Sequence, residues 1–375
     1  MKQTFRLFFK ERTTWVAVSA AIIFQLIFGA VWMTGYEGVA ERMKQVRLAV
    51  VVQEGQLASL LEKLSDRSPI EVVRYKDIET AQYDLDFRKV QMIVNVQQES
   101  TPSGSSLPPE VQLTYYMNES NPAMVKSIMT AVATEFTDAI KKVRLVSMIA
   151  QQKNGSNSSI FADPGVQSSV VTLHPAGDMH RQMIPLMLVL ASFVGSMLVA
   201  MNLEQTTQAL KGKTSRWHRF FVRGIINLIV TIVVSAVGAT MVAWLGGPIV
   251  GGFWMLMGFL SLLMVAFLFM TQLFVLIFGL AGMLINIVLL SMQLVTSGAM
   301  LPRVLLSEGY ASVSQWLPAT YGVDGMLNIM FGGTGTTQDS WVLTIMGISC
   351  FILGAATAAM ERDVHQTATV TVNNV

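Results

Sequence analysis

The stretch KGKT, from Lys211 to Thr214, is the part of the sequence that comes closest to a known catalytic motif. It matches the end of a phosphate-binding P-loop, in which backbone amides and a lysine hold the phosphates of a nucleotide. The complete motif needs a glycine five positions before Gly212, and that position is Thr207. A strand must also precede the loop, whereas the residues before it predict a membrane helix. We therefore expect that this chain does not hydrolyse ATP itself.

Residues suited to metal binding or nucleophilic chemistry are equally sparse. The four histidines are scattered and form no HExxH pair. Cys350 is the single cysteine of the sequence, which excludes an intrachain disulfide and a multi-cysteine metal site. No GxSxG motif occurs. The sequence therefore predicts no catalytic residue and no metal site.

The composition is typical of a membrane protein. Hydrophobic residues make up 52% of the chain and charged residues 13%, against roughly 25% charged residues in soluble domains. The net charge of +2 is too small to indicate a nucleic-acid-binding protein. The expected surroundings are a lipid membrane, with no nucleic-acid partner.

The N-terminal residues predict one retained membrane helix over 14–35. The charge-free stretch from Thr13 to Gly35 is long enough to cross a bilayer. A cleaved signal peptide would have a shorter apolar region and a small-x-small cleavage site, and neither is present. The preceding segment, 1–13, is basic and is expected in the cytosol. Its apolar and basic faces predict a helix at the inner membrane surface, with a plain basic flank as the alternative.

Residues 36–180 predict an extracytoplasmic α/β domain between the first and second spans. Four stretches indicate strands: Val46–Val52, Ile70–Tyr75, Val90–Val96 and Val111–Met117. Helices are expected over Gly55–Ser68, from Asp77 toward Arg88, and from Asn121 to Gln152. Asp77 is a suitable N-cap residue, and Pro122 suits a first helical turn.

Residues 181–360 predict five further membrane helices. The sequence between Arg223 and Arg303 has no charged residue and is long enough for three spans. Breaks are expected at Leu245–Gly252 and Phe278–Gly282, because glycine and proline interrupt helices. The predicted fold class is an α-helical polytopic membrane protein with six transmembrane helices and an inserted α/β domain.

The orientation follows from the distribution of basic residues. The loop 204–223 contains five basic residues against one acid, Glu204. The positive-inside rule therefore places this loop in the cytosol together with the N-terminus. The tail, 361–375, is predicted to be cytosolic as well.

Residues 301–332 predict a re-entrant hairpin at the outer face. Pro302 stops the preceding helix, and Pro318 follows sixteen residues later. Non-helical backbone at membrane depth is tolerated where protein or a water-filled cavity covers it, so two short helices that lean on neighbouring spans are expected. A simple exterior loop is the alternative. The candidate gate residues are Pro302, Trp316, Pro318, Tyr321 and Asp324.

Five polar side chains fall inside the predicted spans. Hydrogen bonds between helices are the expected role for them, ahead of substrate contact. These residues are Gln25, Asn227, Gln272, Asn286 and Gln293.

The stretch from Gln293 to Met326 resembles the C-terminal signature of ABC-2 type permeases, in particular the YhgE/Pip-like branch. That signature has the progression LQ…SG…P…P…LP.TY..DG. The matching residues are Gln293, Ser297, Gly298, Pro302, Leu317, Pro318, Thr320, Tyr321, Asp324 and Gly325. The order of one span, a large exterior domain and five spans is similar too. Met300 departs from the small or aromatic residue expected there, and Asn328 lies where a basic residue is usual.

The resemblance implies the permease subunit of an ATP-binding-cassette exporter. Such a subunit works with a second permease, identical or a paralogue, and with a cytosolic ABC ATPase subunit. ATP and Mg would lie on that ATPase, and no cofactor is expected in this chain. Segment 1–13 and loop 204–223 would receive the push of the ATPase. The coupling candidates are Glu204, Lys211, Arg216, Arg219 and Arg223.

The charge-free spans favour an amphipathic or lipid-like cargo, such as a drug, an antibiotic, a lipopeptide or an envelope lipid. The expected location is a bacterial plasma membrane, with both termini in the cytosol. The alternative function is a non-transporting cell-surface receptor or scaffold, similar to phage infection proteins, that acts through its exterior domain. A membrane-bound enzyme is a weaker option because no catalytic constellation is present.

Overall fold

The computed structural model of the chain describes residues 31, 34, 38–42, 45–52, 70–98, 110–118, 121–152, 165–175, 179–210 and 214–360. Segment 1–13, most of the predicted first span, the predicted helix over 55–68 and the tail 361–375 lie outside these residues. Four helical segments in the described part are long and apolar enough to cross a membrane. They are Ile184–Ala209, Arg216–Trp244, Phe253–Thr296 and Thr337–Met360.

The described residues between 45 and 175 form a five-stranded mixed sheet with two flanking helices, here called the sheet unit. In chain order the elements are α1 (Val39–Arg42), β1 (Arg47–Val52), β2 (Glu71–Tyr75), α2 (Ile78–Asp86), β3 (Met92–Gln98), β4 (Val111–Asn118), α3 (Ala123–Gln152) and β5 (Val166–Leu173). The strand order is β2-β1-β3-β4-β5. The pair β3–β4 is antiparallel and the other three pairs are parallel.

Side chains alternate between the two faces along each strand, and both faces of the central strands β1, β3 and β4 are covered. Met92 and Val94 of β3 pack on one face against α3, whereas Ile93 packs on the other face against α2. Leu301 and Leu305 also belong to the α3-side core, although they come from the second half of the chain. The sheet unit is therefore packed directly onto the hairpin region.

The four predicted strands are confirmed, and β5 is an element that the sequence analysis missed. The side chains of β5 are mostly exposed. Its sequence therefore lacks the buried apolar residues from which β1 to β4 were predicted. It pairs with β4 along its full length, from Val166 to Leu173. The predicted N-cap of α2 is confirmed, since Asp77 Oδ1 accepts a hydrogen bond from the Thr80 amide at 2.7 Å.

The remaining elements form a helix bundle. They are α4 (Met179–Gln182), α5 (Ile184–Ala209), α6 (Arg216–Trp244), α7 (Phe253–Phe278), α8 (Gly282–Thr296), α9 (Glu308–Ser314), α10 (Pro318–Phe331) and α11 (Thr337–Met360), with 3-10 turns at Gly279–Ala281 and Arg303–Leu305. The turn at Gly279–Ala281 divides the 44-residue apolar segment into α7 and α8, as predicted. The φ angle of +61° at Gly279 suits glycine there.

Helix α7 lies at the centre of the bundle and packs against α5, α6, α10 and α11. The approach of α10 to α7 is very close at Gly325. A Cβ atom at this position would collide with the ring of Phe259. Glycine therefore allows α10, which is buried along most of its length, to lie against the central helix.

The predicted loop 204–223 needs a correction. Helix α5 continues to Ala209 and α6 begins at Arg216, so most of this range is helical. Glu204 and Arg223 are buried helical residues rather than loop residues. The buried ends of the two helices accommodate these charges because Glu204 and Arg223 form an ion pair.

Candidate functional site

The first candidate site, the Glu204 cluster, consists of Glu204, Thr207, Gln208 and Arg223. Arg223 Nη1 lies 2.6 Å from Glu204 Oε2, and the two residues are 3% and 4% exposed. The second carboxylate oxygen accepts a hydrogen bond from Gln208 Nε2 at 2.6 Å. Arg223 Nη1 also lies 3.4 Å from Thr207 Oγ1. This ion pair joins the end of α5 to the start of α6 in a place that excludes water.

The other predicted coupling residues lie next to this cluster. Arg219 Nη1 donates to the Thr214 carbonyl at 2.5 Å, which ties the first turns of α6 to the connection before it. Arg216 Nη1 donates to the Ala359 carbonyl at 2.9 Å, at the end of α11. Lys211 lies outside the described residues. Arg223 thus connects α6 to α5, and Arg216 connects α6 to the end of α11.

Along α6, a row of polar side chains that includes Arg223 of the Glu204 cluster faces the interior of the bundle. Polar side chains recur every fourth residue from Arg219 to Ser235, and all are buried. Asn227 Nδ2 donates to Gln272 Oε1 of α7. The opposite side of α6 is apolar and exposed, for example at Ile225 and Ile229. This is the arrangement of a helix with lipid on one side and polar helix contacts on the other.

The predicted role of the polar residues in the spans is confirmed for four of the five. Besides the bond between Asn227 and Gln272, Asn286 Nδ2 donates to the Thr271 carbonyl at 3.1 Å. Gln293 Oε1 accepts from the Ala319 amide at 3.2 Å. The fifth residue, Gln25, lies outside the described residues. These bonds connect α7 with α6 and α8, and α8 with α10.

The second candidate site, the Asp324 cluster, consists of Arg88, Arg303, Asp324 and Asn328. Arg88 Nη1 lies 3.0 Å from Asp324 Oδ1, and Arg303 Nη2 lies 2.5 Å from Asp324 Oδ2. Arg88 Nη2 donates to Asn328 Oδ1 at 2.9 Å. The cluster joins the sheet unit, the 3-10 turn and α10 through one carboxylate.

The position of Arg88 depends on an unusual backbone conformation. Its φ angle is +58°, in the left-handed region that residues other than glycine adopt infrequently. The turn is held by hydrogen bonds from Arg88 N to Leu85 O and from Lys89 N to Asp84 O. It directs the side chain away from α2 and toward α10. Burial lowers the pKa of Arg88, and the charge of Asp324 opposes this shift.

A second contact between the sheet unit and α10 involves His174. His174 Nε2 lies 3.2 Å from Asp86 Oδ1, at the end of α2. The imidazole also lies against Gly332, where a Cβ atom would be 2.7 Å from His174 Nδ1. The end of β5 is thus fixed between α2 and the residue after α10.

The candidate gate residues are distributed over the hairpin. Pro302 precedes the 3-10 turn. Pro318 is buried at the first turn of α10, and Tyr321 Oη donates to the Gln315 carbonyl at 2.8 Å. Trp316, by contrast, is 80% exposed. The structure brings Asp324 together with two arginines and leaves Trp316 on the surface.

The residues that the sequence analysis missed are the cationic partners of Asp324. Arg303 is the first charged residue after the long charge-free stretch, and Asp324 is the second acidic residue after Arg303. This closeness in the sequence could have indicated that the two form an ion pair. Arg88 carries no such signal because 236 residues separate it from Asp324. Asn328, which lies where a basic residue is usual, still contacts a charged group, because its Oδ1 accepts a hydrogen bond from Arg88.

The described residues contain no group of three histidine, cysteine or acidic side chains that could hold a metal ion. The two clusters are thus ion pairs between elements. Glu204 is 20 residues beyond the start of α5, or about 30 Å along the helix axis, whereas the loop at Gly247 and Gly251 contacts both Ile184 at that start and Ile329 of α10, the helix that carries Asp324. The two clusters therefore lie toward opposite ends of the bundle.

The sequence model of a family described as ABC-2 family transporter protein matches residues 12–357. The chain belongs to the ABC-2 transporter family. No curated protein and no solved structure matches it. This ABC-2 protein is a multi-pass membrane permease, and the matched range includes both clusters as well as the sheet unit.

Membership of the ABC-2 family is consistent with where the charges lie. A protein of this family is the membrane component of a transporter. Its ionic groups are expected where helices are joined or moved. In this ABC-2 permease, the Glu204 and Asp324 clusters are such junctions, one between consecutive helices and one between the sheet unit and the bundle.

Proposed function

We propose that this chain is the permease subunit of an exporter that a separate cytosolic ABC ATPase drives. The observation that carries the proposal is the buried ion pair of Glu204 and Arg223 beside the connection from α5 to α6. A force applied to this connection is passed to both helices, because the pair resists their separation. Segment 1–13 is the second proposed contact for the ATPase, and ATP with Mg is proposed to bind on that subunit.

The proposed topology has six spans, with both termini in the cytosol of a bacterial cell. Residues 14–35 form the first span, and α5, α6, α7, α8 and α11 form the others, with residues 301–332 as the outer hairpin. A hydrogen bond of 2.6 Å between Thr34 Oγ1 and Tyr310 Oη supports this order. Thr34 lies at the end of the first proposed span and Tyr310 lies in α9, so the bond is the contact expected if the two are neighbours. The sheet unit then lies outside the cell, in agreement with the YhgE/Pip-like branch proposed for the chain.

The proposed cargo is amphipathic or lipid-like, and two permeases are proposed to form its path. A cavity of about 370 Å³ supports an apolar cargo. It lies between α7, α11 and the start of α10, and its lining is mainly apolar, with Trp316, Ile345 and Cys350 among the residues. Cargo would enter from the inner leaflet and leave past the hairpin.

The test is affinity purification of the tagged chain from its own membranes, followed by an ATPase assay. We expect a P-loop ATPase in stoichiometric amount. With this ATPase bound, Glu204→Gln and Arg219→Gln should leave hydrolysis intact but lower export of a fluorescent lipid. Glu308→Gln, at an exposed position of α9, is the matched control. A chain that purifies without an ATPase, or export unchanged in the Glu204 and Arg219 variants, would contradict the proposal.

A further inference from the structure

Between the sheet unit and the hairpin lies a polar cavity of about 110 Å³. Its lining includes Arg88, Arg303, Asp324, Gln91 and Asn121. One buried water needs about 15 Å³ of such space. The cavity is therefore large enough for a polyatomic ion rather than a single water.

The charges on the described residues of the lining have a positive sum. Arg88 and Arg303 contribute two positive charges and Asp324 one negative charge, which gives +1 for this part of the lining. Both oxygens of Asp324 already accept from the arginines. Asp339 is not among the described lining residues, but it lies within electrostatic range of Arg88, Arg303 and Asp324 and offsets part of this positive charge.

Two donors at this cavity have no acceptor among the described residues. They are Asn121 Nδ2 and Arg88 Nε. Asn121 is 5% exposed, so bulk water does not compensate for the missing bond. A buried donor without an acceptor destabilises the folded chain, so a ligand that accepts from it would be favoured. Gln91, in contrast, is satisfied, because its Oε1 accepts from Arg47 N and its Nε2 donates to Arg88 O.

The start of α3 also favours an anion in this cavity. Asn121, Pro122 and Val125 line the cavity, and they lie immediately before and within the first turn of this 30-residue helix. The N-terminus of a helix carries a partial positive charge and free backbone donors, which favour anions. Guanidinium groups and a helix start together form a typical phosphate-binding environment.

We propose that this cavity binds a phosphate group. Asn121 Nδ2, Arg88 Nε and Arg303 would donate to its oxygens, and the start of α3 would add its partial charge. The phosphate would connect α3 and the α2–β3 turn with the hairpin. Two sources have this chemistry, a free phosphate ion and the headgroup of a membrane phospholipid. The site depends on the geometry of these residues and not on the direction of transport.

The experiment uses the full chain in nanodiscs of a phosphate-free, uncharged galactolipid and in nanodiscs of phosphatidylglycerol. Thermal unfolding is followed in each, with and without inorganic phosphate, and with chloride at equal ionic strength. Stabilisation by inorganic phosphate in the galactolipid discs would support a free ion as ligand. Stabilisation by phosphatidylglycerol alone would support a lipid headgroup. No stabilisation in either arm would overturn the proposal.

Two variants connect the effect to the cavity. Asn121→Asp places a negative charge beside the anion and should weaken the apparent affinity by about tenfold or more, which 1.4 kcal/mol would produce. Asn121→Ala removes the donor without adding charge and should give a smaller loss in the same direction. Gln112→Glu, at an exposed position of β4, is the matched control and should bind like the unchanged chain. Equal affinity in all four proteins would overturn the proposal.

Discussion

The Glu204 cluster and the Asp324 cluster each hold one carboxylate against arginine, but they join different kinds of neighbours. Glu204 and Arg223 are 19 residues apart and lie on consecutive helices. Asp324 bonds to Arg303, 21 residues away, and to Arg88, 236 residues away. The first cluster fixes a local helix pair, whereas the second joins parts of the chain that are far apart in the sequence.

Burial also separates the two clusters. The side chains of Glu204 and Arg223 are 5% and 4% exposed, whereas those of Asp324 and Arg303 are 18% and 36% exposed. Solvent weakens an ion pair and also lowers the cost of breaking it. The Glu204 cluster should therefore control stability, and the Asp324 cluster should control how the sheet unit is held on the hairpin.

The largest effect is expected for Glu204→Leu. This change leaves Arg223 buried without its counter-charge, which costs about 3–5 kcal/mol. The free energy of unfolding in detergent micelles, measured with a denaturant, would give this value. The double variant Glu204→Leu with Arg223→Met removes both charges and should recover most of the loss. A cost below about 1 kcal/mol for Glu204→Leu would mean that water reaches this pair.

The next effect concerns the position of the helix that carries Asp324. Gly325→Ala places a methyl group against the ring of Phe259, and the overpacking should cost about 1–3 kcal/mol. Gly258→Ala is the matched control on α7, because a Cβ atom there meets nothing within 4 Å. Thermal unfolding of both variants measures the difference. If the two variants unfold alike, the close contact of α7 and α10 is not what sets the position of Asp324.

The sequence predicts much of the fold because local signals determine it. Short apolar stretches marked β1 to β4, and the charge-free stretch between Arg223 and Arg303 marked the apolar helices. The strand β5 was missed because its side chains are mostly exposed. Its place depends on pairing with β4, which local residues do not encode.

The candidate sites were predictable to different degrees for the same reason. Glu204 was a candidate because it lies in the range that the resemblance implies for the ATPase contact, and its partner Arg223 lies in the same range. Arg88 was missed because its contact with Asp324 requires the sheet unit to dock on the hairpin. Leu301 and Leu305 make this docking possible through the core on the α3 side, and nothing in the sequence around them indicates a sheet as their neighbour.

A smaller effect is expected for Asp324→Asn. The change removes the charge from partly exposed ion pairs, so the cost should be about 1–2 kcal/mol. Its main result should be faster amide exchange in the α2–β3 turn and at Leu301–Leu305. Hydrogen–deuterium exchange with mass spectrometry would show this, and Glu308→Gln is the control. Exchange that changes in α10 alone would contradict the proposed link to the sheet unit.

The smallest effect should come from the carboxylate that holds the Arg88 turn in place. Lys89 and Tyr75 donate to Asp84, at 2.9 and 2.7 Å, and these bonds lower the pKa of Asp84 below its ordinary 3.8. Because the folded-state pKa is the lower one, this contribution to stability is complete above pH 3.8. It is lost as the pH falls through the lowered pKa.

Asp84→Asn should therefore remove part of the acid-induced fall in the unfolding temperature. Because Lys89 is 56% exposed and solvent weakens the pair, the difference from the unchanged chain should be only about 1–2 °C. The measurement is the unfolding temperature from pH 6 down to about 3, where aspartate titrates. Glu79→Gln, at an exposed position of the same helix, is the control for the loss of one charge. If the curves of Asp84→Asn and the unchanged chain stay parallel, Asp84 does not stabilise the turn that brings Arg88 to Asp324.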